Sequence, residues 1–446
     1  MTAILDGGVT VVGAGLAGSE AALVLSAAGI PVKLVEMRPV ISSPAHLTSW
    51  FAELVCSNSL GSEESQSGKG LLKAELRLLG SNLLLLAERA RVPAGKALAV
   101  DREAFARMVT DSVRSRPDIR VVEGEARAIP DEPLVILACG PLPSEAMSSS
   151  IRSLLGDDGF YFYDAISPIV DASTIDMDAA FFADRYGAGC GDYLNLPMTR
   201  EQYEAFLSAL LAARVVPARE FEEERYFESC MPLEAIAKRG PDTLLFGPLR
   251  PVGLRDPRTG RIPHAVVQLR KENAAGTMHN LVGFQTRLAY PEQERVFSLI
   301  PGLSRARFLR YGSVHRNSFI DAPRHLHPWL ESRGRPGLFF AGQVSGVEGY
   351  IESIASGFVA ALSATALAGG ERPLLFPEDS MIGSLMRHIA TPRPAAFQPM
   401  NANFGLLPEP APGRKRERRA RQAAAALSAT MEFRRSFFKF NPLCVT

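Results

Sequence analysis

Five cysteines in 446 residues, odd in number and widely spaced, give no disulfide framework. They suit a reducing compartment, where a thiol is either buried or chemically active. Neither a Cys-x-x-Cys nor a His-Glu-x-x-His pattern occurs, so no metal is expected. Excess charge of one sign is also missing. Lys and Arg number 49 against 48 Asp and Glu, a formal net charge of +1. Any contact with a polyanion must therefore come from a local basic patch. No apolar run approaches the roughly twenty residues of a membrane span. The first apolar stretch is already strand and helix rather than a signal peptide, so a cytoplasmic location without membrane attachment is expected. What remains is ordinary for a globular chain, 46% hydrophobic and 22% charged, with length enough for two or three domains.

Against that background one segment stands out. Val9-Thr-Val-Val is followed by Gly13-Ala14-Gly15-Leu16-Ala17-Gly18, an apolar helical stretch, and Val32-Lys-Leu-Val-Glu36. In a Gly-x-Gly-x-x-Gly turn the first glycine permits the tight bend and the second admits a pyrophosphate. The third lets helix and strand pack closely. The helix N-terminus then presents unpaired N–H groups and a positive dipole end to the phosphates. Glu36, eighteen residues beyond Gly18, stands where an acid holds a ribose hydroxyl. The order predicts a strand–helix–strand unit that binds a dinucleotide.

A Gly- and Ser-rich stretch runs from Cys56 to Gly70 and reads as an active-site loop or a surface linker. Residues 71–88 have helical apolar spacing, and Asp101 reads as the N-cap of another amphipathic helix. Val121-Val-Glu and the apolar run 134–139, ending at Gly140, read as strands. Apolar strands between helices predict a parallel sheet covered on both faces. The middle of the chain changes character to aromatic, alternating and Pro- or Gly-punctuated segments, which predicts an inserted mixed α+β domain. The charged run 220–225 reads as a solvated helix face. Gly337-Leu-Phe-Phe-Ala-Gly342-Gln343 then makes a second strand-to-glycine turn. It leads through Gly349-Tyr350 into a small-residue helix, as flavoproteins use near the isoalloxazine. Near the end, 413–421 carries six basic residues and one acid. It reads as a solvated helical face or a polyanion contact.

Several further motifs carry a family resemblance. They are Cys56-Ser-Asn-Ser-Leu-Gly, Glu228-Ser-Cys-Met-Pro-Leu-Glu, Gly247-Pro-Leu-Arg-Pro-Val-Gly and Asn280-Leu-Val-Gly-Phe-Gln-Thr-Arg. To these are added Arg310-Tyr-Gly-Ser-Val-His-Arg-Asn, Phe340-Ala-Gly-Gln-Val-Ser-Gly-Val-Glu-Gly-Tyr and Met400-Asn-Ala-Asn-Phe-Gly. With the Gly13–Glu36 fingerprint, the chain resembles the TrmFO family of FAD- and folate-dependent tRNA (uracil-5-)-methyltransferases, relatives of the GidA/MnmG flavoproteins. One departure is Cys139, where the family turn has threonine. The resemblance implies an α/β fold, with a Rossmann-like FAD-binding domain of the GidA/glutathione-reductase type in two parts, 1–165 and 313–446. A mixed α+β insertion, 166–312, interrupts it, and a basic C-terminal helix ends it. The implied activity is methylation of C5 of the T-loop uridine of tRNA. The one-carbon unit comes from 5,10-methylenetetrahydrofolate, and reduction from FAD regenerated by NAD(P)H. The alternatives are the same chemistry on an rRNA uridine, or an oxidoreductase of the GidA/MnmG type without methyl transfer. Partners are tRNA and folate, with no stable protein partner evident.

Such chemistry needs an activated thiol, a base and a hydride source in one cleft, because uracil C5 is a poor nucleophile until a thiolate adds to C6. The resemblance gives that attack to Cys230, and it places Cys56 near the flavin. Cys139, Cys190 and Cys444 read as buried apolar thiols. Cofactor contacts are expected from Gly13, Ala14, Gly15, Leu16, Ala17, Gly18, Glu36, Gly140, Gly342, Gln343, Gly349 and Tyr350. Substrate contacts are expected from Arg287, His315 and Asn58, and phosphate contacts from Arg270, Lys271 and the basic tail.

Overall fold

Residues 8–43, 45–156, 160–185, 191–216, 231–392 and 397–440 are described by the computed structural model. Val9–Val12 is the centre of a five-stranded parallel sheet. Its order is Leu338–Phe340, Val135–Leu137, Val9–Val12, Val32–Glu36, Ile119–Glu123. All four pairings are parallel, which buries both faces and explains why the strand at Val9 is a continuous β-branched run. The last strand reaches this sheet from more than three hundred residues away, so the two ends of the chain share one core.

The middle of the chain builds a separate six-stranded antiparallel sheet. Its order is Phe181–Phe182, Leu194–Met198, Ala265–Lys271, Met278–Leu281, Ile169–Asp171, Phe308–Arg310. Along Ala265–Lys271 the residues Ala265, Val267 and Leu269 enter a second core with Phe206, Phe284 and Phe297. The alternate residues face the other way, where Gln268 meets Asn195 and Arg185 and Arg270 reaches Ser57 and Asn58 of the first part of the chain. Two long strands, Phe160–Ile166 and Ser313–Phe319, pair antiparallel and connect the two sheets.

Asp101 caps the helix Arg102–Arg114 as the sequence predicts, its Oδ1 accepting from Ala104 N at 3.0 Å. The stretch 71–88 is two helices rather than one. Gly68–Leu79 stops at Gly80, which takes the left-handed conformation at φ 84°, and Asn82–Arg89 restarts from a Ser81 cap. Two buried glutamates serve as further helix-end partners. Glu20 accepts from Asn82 and Leu83 N at 3.1 and 2.7 Å, and Glu75 from Met381 and Ile382 N at 2.6 and 2.9 Å.

The small-residue helix is Tyr350–Ala368, and it lies against Leu16–Ala27. Contrary to the expectation that no apolar run reaches such a length, it is long and apolar enough to cross a membrane, the one described helix that is. Of that apolar window, 83% is buried inside the protein, as a core helix requires. A Cβ at Gly357 would sit 2.1 Å from Ala17 O, so the two helices meet backbone to backbone. Gly357→Val is therefore expected to destabilise the fold by about 3 kcal/mol or more, read from the denaturant midpoint.

Burial is the largest influence on Glu20 and Glu75. It lifts them to about 7 and about 8 despite their N–H donors. Each therefore holds a proton in the folded state that the unfolded chain has already released above its ordinary value of 4.5. Stability should fall as pH rises from about 5 to about 8, because the native state binds more protons there. Glu75→Gln, which mimics the protonated form, should flatten that decline in pH-dependent denaturation.

Candidate active site

The glycine turn is built as its three positions require. Gly13 has φ 96°, and an added Cβ would lie 2.4 Å from Ala138 O. At Gly18 it would lie 1.8 Å from Gly13 O. At Gly15 it would meet nothing within 4 Å, so that side of the turn opens into a groove. Gly15 is also the N-cap of Leu16–Ala27, without a side-chain cap and without an acid in the first turn. The positive helix end therefore faces the groove uncompensated by the protein.

Glu36 closes the other side. Its Oε2 accepts from Ala14 N at 2.7 Å, and its Oε1 accepts from Arg38 N and Nε at 3.1 and 2.8 Å. Burial alone would raise this carboxyl; the Arg38 guanidinium and the backbone donors overcome that and hold it below its usual range. Oε2 has a single donor among the described residues, and a carboxylate oxygen has capacity for a second from a hydroxyl. Arg38 was not among the sequence candidates. Nothing in the fingerprint marks a buried cation two residues beyond the acid. His46, another cavity residue missed, accepts or donates at 2.6 Å with Ser43, and burial and Arg38 depress it to about 4.

The groove is open to solvent and spans about 1060 Å³, the open part included. Gly13, Gly15, Leu16, Ala17, Glu36 and Gly140 line it from the N-terminal part, and Gly342, Gln343, Tyr350 and Ser353 from the C-terminal part. Ala14, Gly18 and Gly349 stand behind that lining. Ala14 positions Glu36, Gly18 abuts Gly13 O, and Gly349 takes φ 118° against Glu352. Cys139 also lines the groove; it is half-buried, and desolvation there pushes its thiol up to about 12, which disfavours the thiolate.

Cys56 stands beside the groove residues Glu53 and Val55. Its backbone N and that of Ser57 donate to the Tyr350 hydroxyl at 2.7 and 3.1 Å. Burial, with Cys56 nearby, keeps that phenol well above its usual range and hence neutral. The cysteine loop is thus tied to a groove-lining side chain nearly three hundred residues away. Asn58 and Arg270 play parts other than the expected ones. Asn58 is fully buried, donates to Val100 O and Lys271 O at 3.0 and 2.9 Å, and accepts from Arg270 Nε at 2.8 Å. Both its N–H groups serve the fold rather than a substrate. Arg270 is buried and also donates to Ser57 Oγ at 2.8 Å, so it braces the loop instead of meeting phosphate.

Cys230, Cys190, Cys444 and the run 220–225 lie outside the described residues. The segment just after Cys230 is firmly held. Leu233 N donates to Gln285 O at 2.7 Å, and Glu234 accepts from Thr286 Oγ1 at 2.8 Å and Arg287 N at 2.7 Å. Arg287 is buried, gives Nη2 to Val216 O at 2.8 Å, and is not part of the groove lining. That location puts it outside the dinucleotide groove and beside the segment that follows Cys230. His315 occupies the connecting strand opposite Asp164. In the basic tail, Arg419 lies over Phe404 and Arg421 donates to Ala411 and Pro412 O, whereas Arg414, Lys415 and Arg416 are exposed.

The profile of the family described as "Glucose inhibited division protein A" matches residues 8–372. The chain belongs to this family. Within it the nearly full-length relatives are of the TrmFO group. "Methylenetetrahydrofolate--tRNA-(uracil-5-)-methyltransferase TrmFO" of Desulforudis audaxviator is 54% identical over 428 residues, covering 96% of this chain and 97% of the relative. The protein of the same name from Enterococcus faecalis is 53% identical over 418 residues, 94% and 96% of the two chains. Among solved structures, Aquifex aeolicus GidA in one crystal form superposes with a TM-score of 0.72 at 17% identity, over 98% of this chain and 76% of that one. At that identity the likeness concerns the fold, and it agrees with the expected Rossmann-like architecture of GidA proteins.

The two glycines of the turn should fail in different ways. Gly15→Val fills open space, so the folded protein should keep its thermal midpoint within a few degrees but purify without dinucleotide, read by absorbance. Gly18→Val collides with Gly13 O and should lower the midpoint itself, by about 4–8 °C or more.

Proposed function

We propose that this chain is a folate-dependent tRNA (uracil-5-)-methyltransferase with FAD in the groove. The observation that carries the reading is the Tyr350 tie between the Cys56 loop and the dinucleotide groove, in a chain more than half identical to TrmFO proteins over nearly their whole length. The residues present fit FAD. The Gly15 side accepts a pyrophosphate, the helix end supplies N–H groups, and Glu36 has capacity for a ribose hydroxyl.

The overall balance is uridine, methylenetetrahydrofolate, NAD(P)H and a proton giving 5-methyluridine, tetrahydrofolate and NAD(P)⁺. When bound, FAD supplies the two-electron relay between the nicotinamide and the transferred carbon. The chain's own residues do the rest. Cys230, as thiolate, adds to uracil C6 and turns C5 into a nucleophile; loss of the C5 proton after carbon transfer then expels the thiol. Cys56 works beside the flavin end of the groove. The target base sits inside a folded RNA loop and must swing out to reach both sulfurs. We assign 166–312, with its own antiparallel sheet and core, to the RNA-side domain, and 1–165 and 313–446 to the FAD domain. Arg414, Lys415 and Arg416 offer phosphate contacts, which position the RNA without selecting the base.

With isotopically labelled methylenetetrahydrofolate and NAD(P)H, mass spectrometry of one tRNA should find the label in the T-loop uridine. Label in rRNA alone would move the target, and equal activity with S-adenosylmethionine alone would end the reading. Cys230→Ala should lower turnover by about 10³-fold or more while leaving flavin content unchanged.

A further inference from the structure

Arg102 is the first residue of the helix Arg102–Arg114, where a cation opposes the helix dipole. Its guanidinium is turned away from that helix and reaches three partners. Nη1 donates to Leu54 O at 2.5 Å, Nη2 to Cys56 O at 3.1 Å, and Nε and Nη2 to the two carboxylate oxygens of Glu272 at 2.5 and 3.3 Å. The Arg102 side chain is 15% exposed and that of Glu272 1%, so the pair is shielded from solvent. Glu272 follows the strand Ala265–Lys271 of the antiparallel sheet, and Asp101 Oδ2 accepts from Ala274 N at 3.1 Å beside it. Cys56 is consequently held at both backbone polar groups, its N–H by Tyr350 and its C=O by Arg102. A guanidinium can serve two carbonyls and a carboxylate in one plane; an ammonium at the same point cannot.

We propose that Arg102 is a positioning residue for Cys56, and that its pairing with Glu272 makes the placement of that thiol depend on how the antiparallel sheet is seated. This rests on the role given to Cys56 above. A sheet displaced from the FAD domain would release Glu272 and, with it, the plane of the Arg102 fork. The loop then loses its grip at Leu54 and Cys56 together.

The test uses full-length flavin-loaded protein carrying Arg102→Lys, Glu272→Gln or Cys56→Ala. Arg102→Lys keeps the charge and should keep flavin content and the flavin absorption spectrum. KM for methylenetetrahydrofolate should stay within about threefold while kcat falls about 30-fold, as expected when a reacting group is misplaced by about an ångström. The rate of Cys56 alkylation by iodoacetamide, followed by peptide mass mapping, should change by about tenfold. Glu272→Gln leaves the two carbonyl contacts available and should show the same split at about five- to tenfold in kcat. If Arg102→Lys does not fold, Glu272→Gln decides. Wild-type kcat and an unchanged alkylation rate in a folded variant would overturn the inference. Full turnover in Cys56→Ala would instead remove the role of Cys56, whatever the Arg102 variant does.

Discussion

The architecture depends on a backbone contact between two helices that no side chain separates. Ala17 O lies where a Cβ of Gly357 would be, and Ala17 Cβ stands 3.1 Å from the position a Cβ of Gly342 would take. Both contacts join the helix after the first glycine turn to the elements after the second. Because the helices touch at backbone distance, Gly342, Gln343 and Tyr350 reach the same groove as Gly15 and Glu36. A larger residue at any of these points would separate the walls, and neither half of the chain would contain a complete site.

Buried carboxyl groups in this core are used mainly to finish helices. Glu20 and Glu75 each receive two N–H groups at a helix start. The two helices whose first turns meet the groove are different. Leu16–Ala27 and Tyr350–Ala368 both begin after a glycine that supplies no side-chain cap. In the second of them, Glu352 sits in the first turn but turns to Ala402 N at 3.0 Å, tying down the Met400-Asn-Ala-Asn segment. Carboxyl oxygens thus accept the free N–H groups of helix ends away from the groove, whereas the Gly15 end has no side-chain acceptor and suits a ligand phosphate.

Periodicity and turn chemistry made much of this legible. The Val9–Glu36 unit, the Asp101 cap, the parallel sheet and the second glycine turn are local patterns, and local physics reproduces them. The helix break at Gly80 was also local, but two adjacent apolar stretches in phase conceal a single left-handed residue. Other features have no local trace. Arg38 gains its meaning from the folded position of Glu36. Asn58 and Arg270, two hundred residues apart, read individually as polar residues available for ligands, and only the docking of the antiparallel sheet shows that they satisfy each other. Arg287 reads from its motif as a substrate contact, and only the folded chain shows that Val216 O and Glu234 hold it beside the segment just after Cys230.

Lining a cavity is not what makes a cysteine reactive. Cys139 borders the groove directly, on the turn after Val135–Leu137, and desolvation there raises the thiol to about 12. Cys56 comes from an irregular loop that the FAD domain alone does not hold. Tyr350 fixes its N–H from one end of the chain, Arg102 fixes its C=O, and Arg270 and Glu272 reach the loop and its arginine from the inserted sheet. A thiol that is to react needs a defined direction, and at Cys56 the backbone that sets it is fixed where two separately built cores meet. The insertion therefore does more than stand beside the FAD domain, because the loop that carries Cys56 has its geometry completed by Arg270 and Glu272.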